Sequence, residues 1–184
     1  MDKRKEKTYY KIYFAFKELI TEKSYNDITI QDIINRSNIA RSTFYSTFKT
    51  KDDMLVFISK TLFEHIFDTS LTPEDTHDFS NYSLYDYKHL LTHIFYHLQY
   101  GKSVIRGILS SSSRNLFFNC LKNDFAKFAE IGLDNNFFKR KNLPKYLQIN
   151  SLINNFILLM DYYDFVDYNV KPEQLTEYYI ILNN

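Results

Sequence analysis

The sequence predicts an all-α protein, and three observations support this. Only three Gly and three Pro occur among 184 residues, whereas tight hairpins and phosphate-binding loops depend on these residue types. Apolar residues recur at helical spacing along most of the chain. With 45% hydrophobic residues, including 17 Phe and 16 Tyr, the chain is able to bury a large aromatic core. At this length, we therefore expect an all-helical protein made of one compact body and a small appendage.

The N-terminal part predicts three helices. The first spans about residues 5–23, with its apolar residues on one face. Thr29 then begins a second helix as N-cap, and Asp32 follows three residues later in the capping-box position. Residues 36–38 interrupt that helix, and a third short segment covers about residues 40–47. Two short helices thus flank a tight turn.

The rest of the chain predicts further helices and one loop. Thr50 is expected to cap a fourth helix, with Asp52 and Asp53 in its first turn, where carboxylates complement the helix dipole. Residues 69–83 show no apolar period and predict a loop. The remaining helices are predicted at about 84–100, 103–112, 114–134, 144–168 and 173–182.

Apolar residues cover more than one side of the helix that begins near Pro144. Such a helix must be buried on several sides, either by its own fold or by a second copy of the chain, and we expect a homodimer. The longest strictly apolar run, Phe156–Met160, is far shorter than the roughly 20 residues of a membrane span. No membrane partner is therefore expected.

Charge is distributed unevenly along the chain. Residues 1–60 hold twelve Lys and Arg against eight Asp and Glu, a net charge of +4, whereas the remaining residues carry a net charge of −3. A basic N-terminal part suits contact with polyphosphate. The single cysteine, Cys120, has no internal disulfide partner, and a charged segment follows Met1. These features favour a cytoplasmic protein.

Residues 29–47 have the layout of a DNA-reading helix-turn-helix, in which a supporting helix and a tight turn precede a helix that enters the major groove. Ile39, Phe44 and Phe48 are predicted to face inward and hold the third helix against the first two. The outward positions then carry short hydrogen-bonding side chains and one cation.

Each outward side chain suits a particular DNA contact. Arg41 has the reach and fork for guanine or phosphate, Thr43 is able to bond a base edge or touch a thymine methyl, and Tyr45 is able to donate to a phosphate oxygen. Contacts with the DNA phosphate backbone are expected from Lys49 and Lys51, near the start of the fourth helix. A flexible N-terminal arm that includes Lys3 and Arg4 is expected to add further contacts with that backbone.

Three sequence stretches carry a family resemblance: YNDITIQDI at residues 25–33, IARSTFYSTF at 39–48 and KDDML at 51–55. With these stretches, residues 9–58 strongly resemble the tetracycline-repressor (TetR) family of bacterial transcription regulators. The resemblance implies an all-α homodimer with an N-terminal helix-turn-helix DNA-binding domain at residues 1–50. It also implies a helical ligand-sensing and dimerisation domain at residues 51–184, where the likeness is architectural.

Site residues follow from the resemblance by position. The DNA-contacting positions of the family pattern fall on Thr29, Arg41, Ser42, Thr43, Tyr45 and Lys51. The last two helices lie where family members build the dimer interface, for which we expect Leu152, Phe156, Leu159, Tyr163 and Tyr178. The C-terminal domain usually binds a small effector, and the residues expected to line that pocket are Phe63, Phe67, Phe95, His97, Tyr100, Phe117, Cys120 and Phe125.

Two departures from the family pattern affect the helix-turn-helix. Asn38 stands in the turn where family members commonly have Gly, and Asn also tolerates a left-handed backbone. Ala40 stands where Ser or Asn usually caps the recognition helix, and its loss of a capping oxygen costs about 0.5–2 kcal/mol. We expect the turn to form and the recognition helix to be weakly capped.

Other functions have less support in the sequence. His89, His93 and His97 recur every fourth residue, so neighbours are able to share a metal ion, but no Cys–His spacing accompanies them and we assign no metal. Because the sequence has no Ser-His-Asp order, Gly-rich phosphate loop or paired catalytic carboxylates, we expect neither an enzyme nor a cofactor. The function predicted is repression of a nearby operon from a pseudo-palindromic operator, relieved by a small effector. The alternatives are a coregulator that acts through a protein partner, and a helical-bundle metal-binding protein or enzyme.

Overall fold

The computed structural model describes residues 3–63 and 86–184, with side chains from residue 7 to 60 and from residue 86 onward. Every regular element in these ranges is a helix, as the sequence predicts. The helices are α1 (Lys3–Glu22), α2 (Ile30–Ser37), α3 (Arg41–Thr47), α4 (Asp52–Phe63), α5 (Tyr87–Tyr100), α6 (Lys102–Leu109), α7 (Arg114–Asp134), α8 (Lys145–Phe165) and α9 (Pro172–Asn183). A short 3-10 turn, Tyr25–Asp27, precedes α2. The predicted loop at 69–83 lies outside the described residues.

The helices form two compact units. Met1–Ser59 and Ser103–Phe117 make up the first, and Lys60–Lys102 and Phe118–Asn184 make up the second. Most of α6 and the first turn of α7 therefore belong to the N-terminal unit, although they are distant from it in sequence. The sequence pattern gave no sign of this grouping, and the functional domain bounds expected above, residues 1–50 and 51–184, stay a prediction.

The first unit has a core of aliphatic and aromatic side chains. Ile12 and Phe16 on α1, Ile33 on α2, Phe44 on α3 and Leu55 on α4 are all fully buried. Helix α1 packs against both α2 and α3. The amphipathic period that predicted these short helices is thus satisfied by one shared core.

Helix α6 approaches α1 closely at a glycine. A Cβ atom placed on Gly107 would lie 2.4 Å from Cγ1 of Ile20. Only Gly allows this contact without a shift of the neighbouring side chain. The predicted helix at 103–112 ends earlier, at Leu109, because the hydroxyls of Ser110 and Ser111 donate to backbone carbonyls of the last turn.

The second unit has an aromatic core between α5, α7, α8 and α9. Phe125 on α7 stacks on Phe156 on α8, with ring centroids 4.0 Å apart. Tyr179 on α9 meets Phe125 edge-on and donates its hydroxyl to the carbonyl of Leu152 at 2.8 Å. Within the described residues, no helix combines the length and apolar character needed to cross a bilayer.

Candidate nucleic-acid interface

A reciprocal capping box begins α2, as the sequence predicts. The Thr29 hydroxyl oxygen accepts a hydrogen bond from the Asp32 amide at 3.1 Å, and the Asp32 carboxylate accepts one from the Thr29 amide at 2.8 Å. Lys23, the residue that follows α1, forms an ion pair with that carboxylate at 2.7 Å. Two amides that a helix start leaves without partners are therefore satisfied, which fixes where α2 begins.

The turn between α2 and α3 depends on Asn38. Its φ and ψ angles are 50° and 51°, in the left-handed region, which Asn enters more readily than most residues. The expectation that Asn38 substitutes for Gly is confirmed. Ala40 then stands at the N-cap of α3 with no side-chain capping bond, and the expected weakness of that helix start stays a prediction.

Helix α3 has one buried side and one exposed side. Phe44 and Phe48 are buried, as predicted, whereas Ile39 is only half-buried. The exposed positions are Arg41, Ser42, Tyr45 and Ser46, with Thr43 and Thr47 half-buried. Because α3 is only seven residues long, its exposed side offers a compact set of short donors, one phenol and one guanidinium.

Arg41 is held by residues on both helices of the motif. Its guanidinium carbon lies 5.5 Å from the centroid of the Tyr45 ring, and its Nη1 donates to Oε1 of Gln31 over a long 3.4 Å. The Gln31 amide in turn donates to Oδ1 of Asn35 at 2.8 Å. Gln31 and Asn35 are exposed on α2. The DNA-contacting positions expected from the family pattern do not include them, although polar residues at outward helix positions are a usable signal.

Lys49 and Lys51 have different surroundings although both precede α4. The Lys49 side chain is exposed, and the backbone amides of Lys49 and Thr50 donate to Oδ2 of Asp53 at 2.7 and 2.8 Å. Asp53, rather than an external anion, therefore satisfies these amides. The hydroxyl of Thr50 accepts from the Asp53 amide at 3.2 Å, which confirms Thr50 as the cap of α4.

The Lys51 ammonium is directed into the protein. It donates to the carbonyl oxygens of Tyr25 at 2.6 Å and Ile28 at 2.9 Å and lies 4.1 Å from the centroid of the Tyr25 ring. Burial lowers the pKa of Lys51 from its ordinary value, and the neighbouring carboxylate of Asp52 opposes this shift. The sequence pattern assigned Lys51 to phosphate and gave no sign of these internal partners.

Lys3 and Arg4 are the first residues of α1. The flexible arm expected from the sequence is therefore helical from residue 3 onward. Their side chains lie outside the part of the structure that is described, so the predicted contacts of Lys3 and Arg4 with the DNA backbone stay predictions.

The predicted effector-pocket residues are dispersed. Phe95 and Phe125 are buried in the second unit and Phe117 is buried in the first, whereas Tyr100 is 57% exposed. Burial raises the pKa of the Cys120 thiol. Phe67 and the side chain of Phe63 lie outside the described residues. Phe125 is stacked on Phe156 and therefore contributes to the packing of the core. The effector pocket stays a prediction.

The predicted dimer-interface residues are mostly interior. Leu152, Phe156, Leu159 and Tyr163 are at most 4% exposed, and Tyr178 is half-buried. The first four side chains pack inside the chain and have little exposed surface. An exposed apolar face lies beside them on α8 and α9, formed by Leu158, Tyr162, Phe165, Tyr178, Ile181 and Leu182.

The histidines on α5 make short-range contacts. His89 Nδ1 bonds the Asp86 carboxylate, and the Nε2 atoms of His93 and His97 lie 2.9 Å apart. Among residues 3–63 and 86–184, no group of three or more His, Cys, Asp or Glu side chains is arranged to hold a metal ion.

The capped helix, the left-handed turn and the short exposed helix on a buried base together make a helix-turn-helix of the DNA-binding class. Residues 13–56 match the model of the family described as bacterial regulatory proteins, tetR family. These residues are a tetR-family DNA-binding domain, and the chain has the fold of TetR-type transcriptional regulators.

Two solved structures are similar over nearly the whole chain. One is a TetR transcriptional regulator from Streptococcus agalactiae 2603V, with 24% identity and a TM-score of 0.69, covering 100% of this chain and 97% of that chain. The other is a putative TetR-family transcriptional regulator from Syntrophomonas wolfei str. Goettingen, with 19% identity and a TM-score of 0.64, covering 97% of this chain and 93% of that chain. Among curated proteins, no sequence matches.

Proposed function

We propose that the protein is a homodimeric transcription regulator that represses a nearby operon from a pseudo-palindromic operator and leaves it when a small effector binds. The observation that carries this proposal is the exposed polar side of α3. It sits on a buried aromatic base, and the helix start before it is fixed by the capping box. A rigid base with short donors on its surface is what major-groove reading requires.

The side chains of α3 divide between base and backbone contacts. Arg41, Ser42 and Thr43 occupy the first turn, which is the part of a recognition helix that contacts base edges. Tyr45 and Lys49 follow and suit phosphate oxygens, to which a phenol and an ammonium donate. The net charge of +4 on residues 1–60 supports this use of the N-terminal unit.

The exposed apolar face on α8 and α9 supports a homodimer. Leu158 is 54% exposed and Ile181 is 73% exposed, and the surface between them forms an apolar groove of about 390 Å³. Large exposed apolar patches commonly mark sites of protein–protein contact, and the partner that we propose for this face is a second copy of the chain. Two copies joined there would present two α3 helices to successive major grooves, about 34–36 Å apart along the operator.

An effector site is proposed in the second unit, whose aromatic side chains suit an apolar or aromatic small molecule. Effector binding would release the operator only if the effector binds the free and DNA-bound states unequally. With an operator on the chromosome, the protein would act in the cytoplasm.

Selection from a pool of randomised DNA duplexes tests the proposal. Full-length protein is mixed with the pool, bound duplexes are recovered and sequenced, and an Arg41→Ala/Thr43→Ala double variant serves as the matched control. We expect the wild-type protein to enrich an inverted repeat and the double variant to lose that enrichment. If the wild-type protein enriches no sequence, the operator function is wrong and the coregulator alternative gains support.

A further inference from the structure

The start of α4 holds the segment that leads into α2. Lys51 bonds the carbonyls of Tyr25 and Ile28 with two of its three N–H groups, and the third side of the ammonium faces the Tyr25 ring. Ile28 directly precedes Thr29, the N-cap of α2. One side chain, from the residue that precedes α4, therefore holds the carbonyls of the first residue of the 3-10 turn and of the residue that follows the turn.

Asp52 holds the same turn from the next position. Its Oδ1 accepts the hydroxyl of Tyr25 at 2.6 Å and the hydroxyl of Ser113 at 3.2 Å. Burial and the bond to Asp52 both raise the pKa of Tyr25, so the phenol keeps its proton and remains a donor at any ordinary pH. Lys51 and Asp52 form what we call the α4 clamp, which holds the backbone and the side chain of Tyr25.

A phosphate contact would compete with this arrangement. An ammonium has three donors and no acceptor, and moving the Lys51 nitrogen to a phosphate would withdraw a charge-assisted donor from two carbonyls. The Tyr25 carbonyl would keep its bond from the Ile28 amide at 3.3 Å, whereas the Ile28 carbonyl would lose its Lys51 donor. Ile28 is 1% exposed, so water has little access to replace that donor, and an unpaired buried carbonyl is costly. Lys49, two residues earlier, is exposed and meets no such competition.

We infer that Lys51 is a positioning residue for DNA binding and makes no phosphate contact of its own: it holds the 3-10 turn so that Thr29 and α2 stand in the register that α3 requires. The inference rests on the proposed DNA-binding function and deepens it, because it separates two lysines that the sequence pattern treats alike.

The test compares Lys51→Met with Lys49→Met. Each substitution removes one charge and keeps a long side chain. Binding is measured to the duplex that the wild-type protein enriches from a random pool, over a series of salt concentrations, and amide hydrogen exchange of residues 25–32 is measured without DNA. The slope of log affinity against log salt reports phosphate contacts, at about 0.9 per contact, whereas the exchange rate reports how firmly the turn is held.

We expect Lys51→Met to weaken binding about ten-fold at every salt concentration with the wild-type salt slope retained, and to speed exchange in residues 25–32. Lys49→Met should reduce the slope by about 0.9, the value for one phosphate, and leave exchange unchanged. Lys51→Gln, which keeps N–H donors without the charge, should fall between wild type and Lys51→Met in both measurements, and it serves in place of Lys51→Met if that variant does not fold.

Two results would overturn the inference, and they differ from failure of the proposed function. If the Lys51 variants reduce the salt slope as Lys49→Met does, with unchanged exchange, Lys51 is a phosphate contact and the DNA-binding function stands. If the wild-type protein binds no duplex, both the proposed function and the positioning role fail.

Discussion

Asp32 and Thr29 satisfy each other's backbone amides at the start of α2, at 2.8 and 3.1 Å. The same carboxylate accepts the Thr29 hydroxyl and the Lys23 ammonium, both at 2.7 Å. These hydrogen bonds, with that of Lys23 contributing most, hold the pKa of Asp32 well below its usual range. The carboxylate thus joins the end of α1, the N-cap and the first turn of α2.

This arrangement predicts acid sensitivity of the N-terminal unit. Because the pKa of Asp32 is lower in the folded than in the unfolded state, its stabilising contribution is present above the unfolded value of about 3.9 and is lost as the pH falls toward the folded value. Asp32→Asn should therefore lower the free energy of unfolding at neutral pH. It should also make that free energy fall less steeply as the pH is lowered from about 5 to about 2. Urea unfolding at a series of pH values measures this, with Asp164→Asn on α8 as the control. If the free energy of unfolding of Asp32→Asn depends on pH as steeply as that of the wild-type protein, the stabilising role of the Asp32 carboxylate is wrong.

Restoring the missing cap on α3 should strengthen the motif. Ala40 has φ and ψ angles of −70° and 147°, already suitable for an N-cap, but supplies no acceptor. Ala40→Ser is expected to raise the free energy of unfolding by about 0.5–2 kcal/mol and to tighten DNA binding, because α3 frays less before it meets the groove. Thermal unfolding and duplex binding measure the two effects. Ala40→Val, which offers no acceptor, should show neither gain.

The contact between Gly107 and Ile20 predicts a steric penalty. Alanine at position 107 would improve helix propensity by about 1 kcal/mol, but its Cβ would lie 2.4 Å from the Ile20 side chain, and overpacking typically costs about 1–3 kcal/mol. Gly107→Ala should therefore leave the free energy of unfolding unchanged or lower it when Ile20 is present. The loss should be smaller when Gly107→Ala is combined with Ile20→Ala. Additive effects in this double-mutant cycle, measured by urea unfolding, would show that the two positions do not interact.

The helices and the helix-turn-helix were predictable from the sequence because the signals that indicate them are local. The capping box at Thr29, the left-handed turn at Asn38 and the buried pair Phe44 and Phe48 follow from spacing and residue type alone. The partnership of Ser113 with Asp52 was not predictable, because it joins residues 61 positions apart and a run of serines carries no periodic signal.

The same limit applies to side-chain direction within a helix. The sequence indicated that α8 is apolar on more than one side, but it could not tell the side that packs on α9 from the side that remains exposed. Phe156 and Leu158 are equally apolar, yet one is fully buried and the other is 54% exposed. The same limit applies to Lys51, the residue before α4. A lysine near a helix start is able to bond an internal carbonyl as well as a phosphate, and the sequence does not indicate which.

The exposed apolar face predicts the oligomeric state of the protein. Leu158→Glu places a charge in the centre of that face, and burying an unpaired carboxylate is costly. We expect this variant to sediment as a monomer at concentrations where the wild-type protein is a dimer. Leu116→Glu on α7, at a leucine that is 37% exposed, is the control and should leave the dimer intact. A Leu158→Glu dimer as tight as wild type would place the interface elsewhere.

Arg41 and Tyr45 should differ in what they contribute to DNA binding. Loss of a side chain that reads a base costs about 1–3 kcal/mol at one position of the site and relaxes its preference. Arg41→Ala should do so, whereas Tyr45→Phe, which removes only the hydroxyl that we propose donates to a phosphate, should weaken binding to all duplexes alike. Competition among single-substitution duplexes measures both. Equal profiles for the two variants would contradict this division.

In the proposed function, two copies of the chain read one operator, each through its α3. Sedimentation of the protein with the duplex selected from a random pool tests both parts at once. We expect a complex of two chains on one inverted repeat, which Leu158→Glu reduces to weak single-chain binding. A wild-type protein that stays monomeric and leaves the duplex unbound would contradict it.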